Sequence, residues 1–247
     1  MIVSFFEEFP NRKNLDKLKL VTWPTKLYVA AKSLKEFNRI RLSIRNRHVR
    51  EVIYWPILSK EEGYWISPFS RRKALLRVLG EVKDTPVMID AELPRNPWLY
   101  ITQKANFFRN RKLIREFVRS HPDVYVAEYY PTGKVKGKIM SFLGLHFNPR
   151  RHKCKVIKMV YHSMHSFDRE FIIGKLREGR KQFRNNFLVA YGVIAKGIGG
   201  NEPMLSEEQL AEDLKIAKAV GVKEVVIFRL GGLNSSYAKS LASFVNH

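Results

Sequence analysis

Eight short apolar runs, rich in β-branched residues, recur along the chain: IVSFF (2–6), KLYVA (26–30), EVIYW (51–55), PVMID (86–90), DVYVA (123–127), KVIKMVY (155–161), FLVAY (187–191) and EVVIF (224–228). Their starts are spaced roughly 24 to 37 residues apart, too far for hairpins and long enough for a helix in each gap. The gaps carry helical stripes. Leu34, Phe37, Ile40 and Ile44 form one; Leu75, Val78, Leu79 and Val82 a second; Phe107, Ile114, Phe117 and Val118 a third; Ile172, Leu176 and Phe183 a fourth; Leu210, Leu214 and Ala217 a fifth. Ser33 with Glu36 and Ser206 with Gln209 have capping-box spacing, Asn234 is placed to cap a helix over 235–245, and a weaker helix is expected near 11–19.

Strand and helix alternating eight times in 247 residues predicts parallel pairing through right-handed crossovers. The expected fold is α/β: one (β/α)8 TIM barrel spanning residues 1–247, with no linker. An open doubly wound sheet is the competing arrangement. Residues 131–154 break the rhythm between strands five and six. They mix basic residues with Ile139, Met140, Phe142, Leu143 and Leu145, and are expected to form a crossover helix or an insertion acting as an interfacial lid.

Composition limits the setting. No run approaches the ~20 apolar residues of a membrane span. The opening MIVSFFEEFP has no basic flank and is interrupted by Glu7 and Glu8, which makes a poor signal peptide. One cysteine, Cys154, excludes an internal disulfide and fits a reducing, cytoplasmic compartment. Scarce Gln and 28% charged residues lean toward a thermophile. With 45 Lys and Arg against 23 Asp and Glu the formal charge is +22, which attracts polyanions, an anionic membrane surface or phosphorylated molecules, or is simply a solvated basic surface.

In a parallel barrel the working residues gather at the C-terminal ends of the strands. There the sequence places Glu7 and Glu8 (strand one), Tyr54 and Trp55 with Trp65 in the following loop (strand three), Asp90 and Glu92 (strand four), Glu128 and Tyr129 (strand five), Tyr161, His162 and His165 (strand six), Tyr191 (strand seven) and Arg229 (strand eight). Side chains alternate along a strand, so Asp90, Glu92 and Met88 share a face, with the two acidic Cα atoms about 6.5–7 Å apart. Clustered carboxylates raise one another's pKa, which makes a neutral acid available near neutrality. Pairing of one acid with Arg229 is the structural alternative. The aromatic residues offer flat faces for sugar rings beside carboxylates that bond hydroxyls; each alone is as readily a core residue.

Asp90-Ala91-Glu92 on the fourth strand and Met159-Val160-Tyr161 on the sixth resemble the chitinase-type glycoside hydrolase barrels. The resemblance implies that Glu92 donates a proton, that Asp90 orients it or stabilises a substrate-assisted intermediate, and that Tyr161 bonds the reacting group. It covers about six residues and the barrel frame; further strand-four acids of that family are replaced by Val87, Met88 and Ile89. Glu7 and Glu128 are candidates for base or hydroxyl ligand, and Tyr54, Trp55, Trp65, Tyr129, Tyr161, His162, Tyr191 and Arg229 for substrate contacts.

A rival site lies in KGIGGNEP (196–203) and RLGGLN (229–234). Gly199, Gly200, Gly231 and Gly232 would let backbone N–H groups approach a phosphate, with Arg229 adding donors. Ordinary turns are the plainer reading. His162 and His165 with an acid have poor spacing for metal, because i and i+3 do not share a strand face, and neither metal nor cofactor is expected. A non-catalytic nucleic-acid binder is the remaining class, resting on basic helices alone. The favoured expectation is a glycoside-hydrolase-like barrel acting on or binding a carbohydrate.

Overall fold

The computed structural model describes residues 1–130, 134–161 and 168–245. Eight strands form a closed parallel barrel in sequence order: β1 (Ile2–Glu7), β2 (Thr25–Ala31), β3 (Val49–Pro56), β4 (Val87–Asp90), β5 (Val124–Tyr129), β6 (Lys155–Met159), β7 (Phe187–Tyr191) and β8 (Glu224–Phe228). The connections hold α1 (Arg12–Leu15), α2 (Leu34–Ser43), α3 (Arg72–Glu81), α4 (Trp98–Thr102), α5 (Phe107–Ser120), α6 (Lys134–Phe142), α7 (Pro149–His152), α8 (Arg169–Phe183) and α9 (Glu207–Ala219), and α10 (Ser235–Ala242) follows β8. The chain is thus a (β/α)8 TIM barrel, and α6 and α7 occupy the β5–β6 connection. Packing divides it into two compact units, residues 1–30, 40–52 and 157–247 in one, and 31–39 and 53–156 in the other.

In the first unit, registers Phe5↔Leu27, Phe6↔Tyr28, Val3↔Val225, Phe6↔Phe228 and Val189↔Val225 set which residues share a face. Phe5 meets Trp23 at 6.3 Å, and a Cβ on Gly179 of α8 would overlap the Phe187 ring, so Val3, Phe5, Phe187, Val189 and Tyr191 face the helices. Ser4, Phe6, Tyr28, Val226 and Phe228 therefore face the lumen, where the Phe6 ring lies 5.3 Å from Tyr28 and 6.4 Å from Phe228. Deeper in the lumen, Glu224 accepts from Ser4 Oγ at 2.8 Å and Tyr28 OH at 3.0 Å, and Lys26 lies 3.1 Å from it and 3.3 Å from Glu51. This polar layer keeps a 6% exposed carboxylate paired.

In the second unit, Tyr54 packs on Phe37 of α2 at 5.0 Å and pairs with Val87. Its face, with Ile89, Val126 and Glu128, looks toward the helices; Trp55, Met88, Asp90, Tyr125 and Ala127 look inward, in the registers Met88↔Tyr125 and Asp90↔Ala127. Helices α3 and α5 bury Leu75, Val78, Ile114 and Val118.

The caps follow the sequence with one variation. Ser206 and Gln209 form a full capping box, and Asn234 accepts from Tyr237 N. Ser33 accepts from Glu36 N, but the Glu36 carboxylate reaches Lys32 N at 2.9 Å rather than Ser33 N.

Candidate functional site

The end of β4 is the best-formed candidate. Asp90 is 5% exposed on the inward face, directly above Met88, and Glu92 is half-buried two residues further on, past the last strand residue. The strand pairing runs one residue beyond β4, since Ala91 N donates to Ala127 O at 2.9 Å. Beside it lies the loop after β3. Ile66 N donates to Asp90 O at 3.1 Å, which ties the Trp65–Ile66 segment to the strand end. Trp65 stays half-buried and packs edge-on against Tyr64 at 5.5 Å. Tyr64 holds φ 63° after Gly63 at φ 124°, a tight turn that needs the glycine. The loop is held from behind by a residue that sequence patterns did not single out. Asn110 of α5, fully buried, donates to Pro68 O and Ser70 O at 3.0 and 3.1 Å and accepts from Arg72 at 3.2 Å. An Asn within an apolar helical stripe was the available signal. Trp55 also faces inward and is 3% exposed, while Tyr129 is half-buried at the end of β5.

Four of the expected site residues stand on the other side of the sheet. Tyr54 and Tyr191 are fully buried and Glu128 has no exposed surface, all in the helix-facing phase of their strands. Burial, with the charge of Glu81 adding to it, drives the Tyr54 phenol well above its usual pKa. Glu128 accepts from Phe147 N at 2.8 Å and lies 3.3 Å from His146 Nδ1, so it anchors the chain that follows α6. Glu7 is the fourth. Alternation from Phe5 turns it away from the lumen, and Glu8, one residue past β1, accepts from Ile198 N at 3.0 Å.

Glu7 is enclosed and saturated. Its two oxygens accept from Phe9 N (2.8 Å), Asn14 Nδ2 (3.2 Å), Arg229 Nη1 (3.1 Å) and Gly231 N (2.7 Å). Burial raises its pKa, while the Arg229 charge, the Phe9 and Gly231 amides and Asn14 pull it back down. Arg229 is committed as well: Nε donates to Lys196 O at 3.0 Å, and the guanidinium lies 4.8 Å over the Phe9 ring.

The glycine loops therefore bind anions, but the anions are the chain's own. Gly199 N donates to Glu202 at 2.9 Å, Gly197 N to the other oxygen of Glu202 at 3.3 Å, Ile198 N to Glu8 at 3.0 Å and Gly231 N to Glu7. Gly200 N and Gly232 N donate to the carbonyls of Gly197 and Arg229 at 3.2 and 3.0 Å. All four amides expected to meet a phosphate already have acceptors, which removes the groups on which that reading rested. Tyr161 is 7% exposed, 6.1 Å from Phe228. His162 and His165 lie outside the described residues. Among the described residues, no group of three His, Cys, Asp or Glu side chains is placed to hold a metal ion.

No family model matches the chain, and no curated protein sequence matches it. Solved structures do match in fold. The PgaB (BpsB) glycoside hydrolase domain from Bordetella bronchiseptica superposes with a TM-score of 0.57 at 10% identity, covering 98% of this chain and 97% of that one. A chitinase from Chromobacterium violaceum gives 0.57 at 9% identity, covering 98% of each chain. The 3-keto-D-glucoside 4-epimerase YcjR from E. coli gives 0.53 at 12%, again covering 98% of each. These likenesses establish a shared barrel; they do not carry the neighbours' chemistry across.

Proposed function

We propose that this chain is a glycoside-hydrolase-like enzyme whose substrate is a carbohydrate, with Glu92 as general acid and Asp90 as its partner. The observation that carries the reading is the pair at the end of β4: an enclosed, inward-facing Asp90 followed by a partly exposed Glu92, beside the pinned Trp65 loop. The fold shared with a glycoside hydrolase domain and a chitinase supports it. In this scheme Glu92 protonates the glycosidic oxygen as the bond to the anomeric carbon breaks, and a water molecule then bonds to the anomeric carbon and returns a proton to Glu92. Asp90 orients Glu92 or stabilises the positive charge that develops on the sugar, and Trp65 offers a ring face to a neighbouring sugar unit. Glu7 and Glu128 have no part in the chemistry of this scheme, because both carboxylates already hold backbone amides on the far side of the sheet.

The test is a panel of oligosaccharides, N-acetylglucosamine oligomers among them, assayed for new reducing ends with wild type, Glu92→Gln and Asp90→Asn. Turnover of one class by wild type, abolished in Glu92→Gln at unchanged melting temperature, supports the assignment. Undiminished turnover in Glu92→Gln removes Glu92 as the acid. Sugar binding without turnover in wild type reduces the protein to a carbohydrate-binding barrel.

A further inference from the structure

We propose that α4, α5 and α6 form a docking face for an anionic lipid surface. This inference is independent of the carbohydrate reading. Six large apolar side chains stand out from these three helices: Trp98 (69% exposed), Ile101 (68%), Phe108 (66%), Val135 (72%), Ile139 (52%) and Phe142 (52%). They are ordered rather than scattered. Val135, Ile139 and Phe142 fall at i, i+4 and i+7 on one stripe of α6, and Trp98 and Ile101 fall at i and i+3 on α4. Phe142 lies 6.4 Å from Phe108 and 5.8 Å from Phe107. Phe107 continues through Phe69 at 4.9 Å to Tyr100 of α4 at 5.0 Å, so one chain of rings links the three helices.

The face is fixed from behind. Arg115 of α5 donates to Ser141 O at 2.8 Å, and the Glu128 carboxylate holds Phe147 N just past α6. The exposed rows are thus mounted on anchored helices and are not a loose loop.

Charge selects the occupant. Residues 95–112 and 135–142 contain Arg95, Lys104, Arg109, Arg111, Lys112, Lys136 and Lys138 and no acidic residue, and further along α5 the exposed Glu116 lies 3.7 Å from Lys112. Apolar side chains framed by an excess of cations suit the interface of an anionic bilayer: lysines and arginines meet the headgroups while tryptophan, phenylalanine and aliphatic side chains enter the acyl boundary. A second copy of this chain would bring like charges together. A nucleic acid would use the cations but has no place for Val135 and Ile139. Among the described residues no helix is long and apolar enough to cross a membrane, so the contact is one of a surface.

The experiment is co-sedimentation of the intact chain with phosphatidylglycerol/phosphatidylcholine vesicles and with phosphatidylcholine vesicles alone. The chain is expected to sediment with the anionic vesicles, with a blue shift of tryptophan emission that Trp98→Phe abolishes. Phe108→Ser with Phe142→Ser, and separately Lys104→Glu with Lys138→Glu, should each weaken the association about tenfold or more at unchanged melting temperature. Because the two pairs remove different chemistry, misfolding of one leaves the other to decide. Equal binding to neutral vesicles, binding untouched by both pairs, or a dimer in solution that buries Trp98 would each overturn the proposal. So would displacement from vesicles by RNA with no emission shift, which would assign the cations to nucleic acid.

Discussion

The glycine loops after β7 and β8 and the end of β4 both gather carboxylates at strand termini, and they use them in opposite ways. Glu7 has no exposed surface and four donors, two of them backbone amides. Glu8 and Glu202 take three more amides from residues 197–199. These acids complete the backbone of the loops, much as an N-cap completes a helix, and their negative charge belongs to the scaffold. Glu92 instead lies partly exposed beyond the last residue of its strand, beside an enclosed Asp90. A carboxylate that is buried and saturated cannot exchange partners without loss of structure, whereas one at the edge of solvent can meet a ligand. The type of residue is the same in both places; access separates architecture from candidate chemistry.

The largest expected effect breaks or confirms the second half of that contrast. Glu92→Gln should lower kcat by roughly a hundred- to ten-thousand-fold on any oligosaccharide that wild type turns over, with the thermal midpoint unchanged. Glu7→Ala should do the reverse. It leaves Arg229, whose side chain is 13% exposed, and the Gly231 amide without their partner, at a cost of roughly 3–5 kcal/mol. Chemical denaturation would show this as an earlier midpoint, with KM unchanged in the fraction still folded. A Glu7 variant of full stability and no activity would erase the distinction drawn between the two regions.

The barrel was legible because its signals are local and repeated. Apolar β-branched runs and helical stripes placed all eight strands within about two residues of where they lie. Parity was legible only in part. Asp90 has the phase expected from Met88, but Glu7 at the end of β1 alternates with Val3 and Phe5 and faces away from the lumen. Tyr54 and Trp55 are adjacent in β3 and cannot both face inward, and Tyr54 takes the helix side. The glycine loops show a different limit. Their composition correctly marked backbone that binds an anion, but the acid on Gly231 comes from 224 residues away, and no local pattern reveals that the site is already filled.

Asp213 offers a control with a smaller effect. It is 3% exposed on α9, and burial, aided by the charge of Glu212, pushes its carboxyl up to about 7. A folded-state pKa above the unfolded value means that its favourable contribution is complete below about pH 4 and is lost as pH rises through about 7. Asp213→Asn should therefore match wild type near pH 4 and exceed it at pH 8, by at most about 4 kcal/mol. Thermal melts at the two pH values measure the difference. A pH-independent gap between the two proteins would mean that burial and the Glu212 charge do not govern this carboxyl.

The smallest effect sharpens the comparison most directly. Glu202 is half-buried and holds the amides of Gly197 and Gly199, so Glu202→Ala should cost only about 1 kcal/mol, the net value of hydrogen bonds at a loop that water can reach. It should also vacate the cradle. Sulfate or phosphate at about 50 mM should then raise the variant's melting temperature by about 1–2 °C more than it raises that of wild type, because the freed N–H groups accept an external anion in place of the side chain. An equal response in both proteins would mean that the anion binds elsewhere or already competes with Glu202. In the second case the loops after β7 and β8 would return as a site for a phosphorylated ligand, and the internal carboxylates would be place-holders that a substrate displaces.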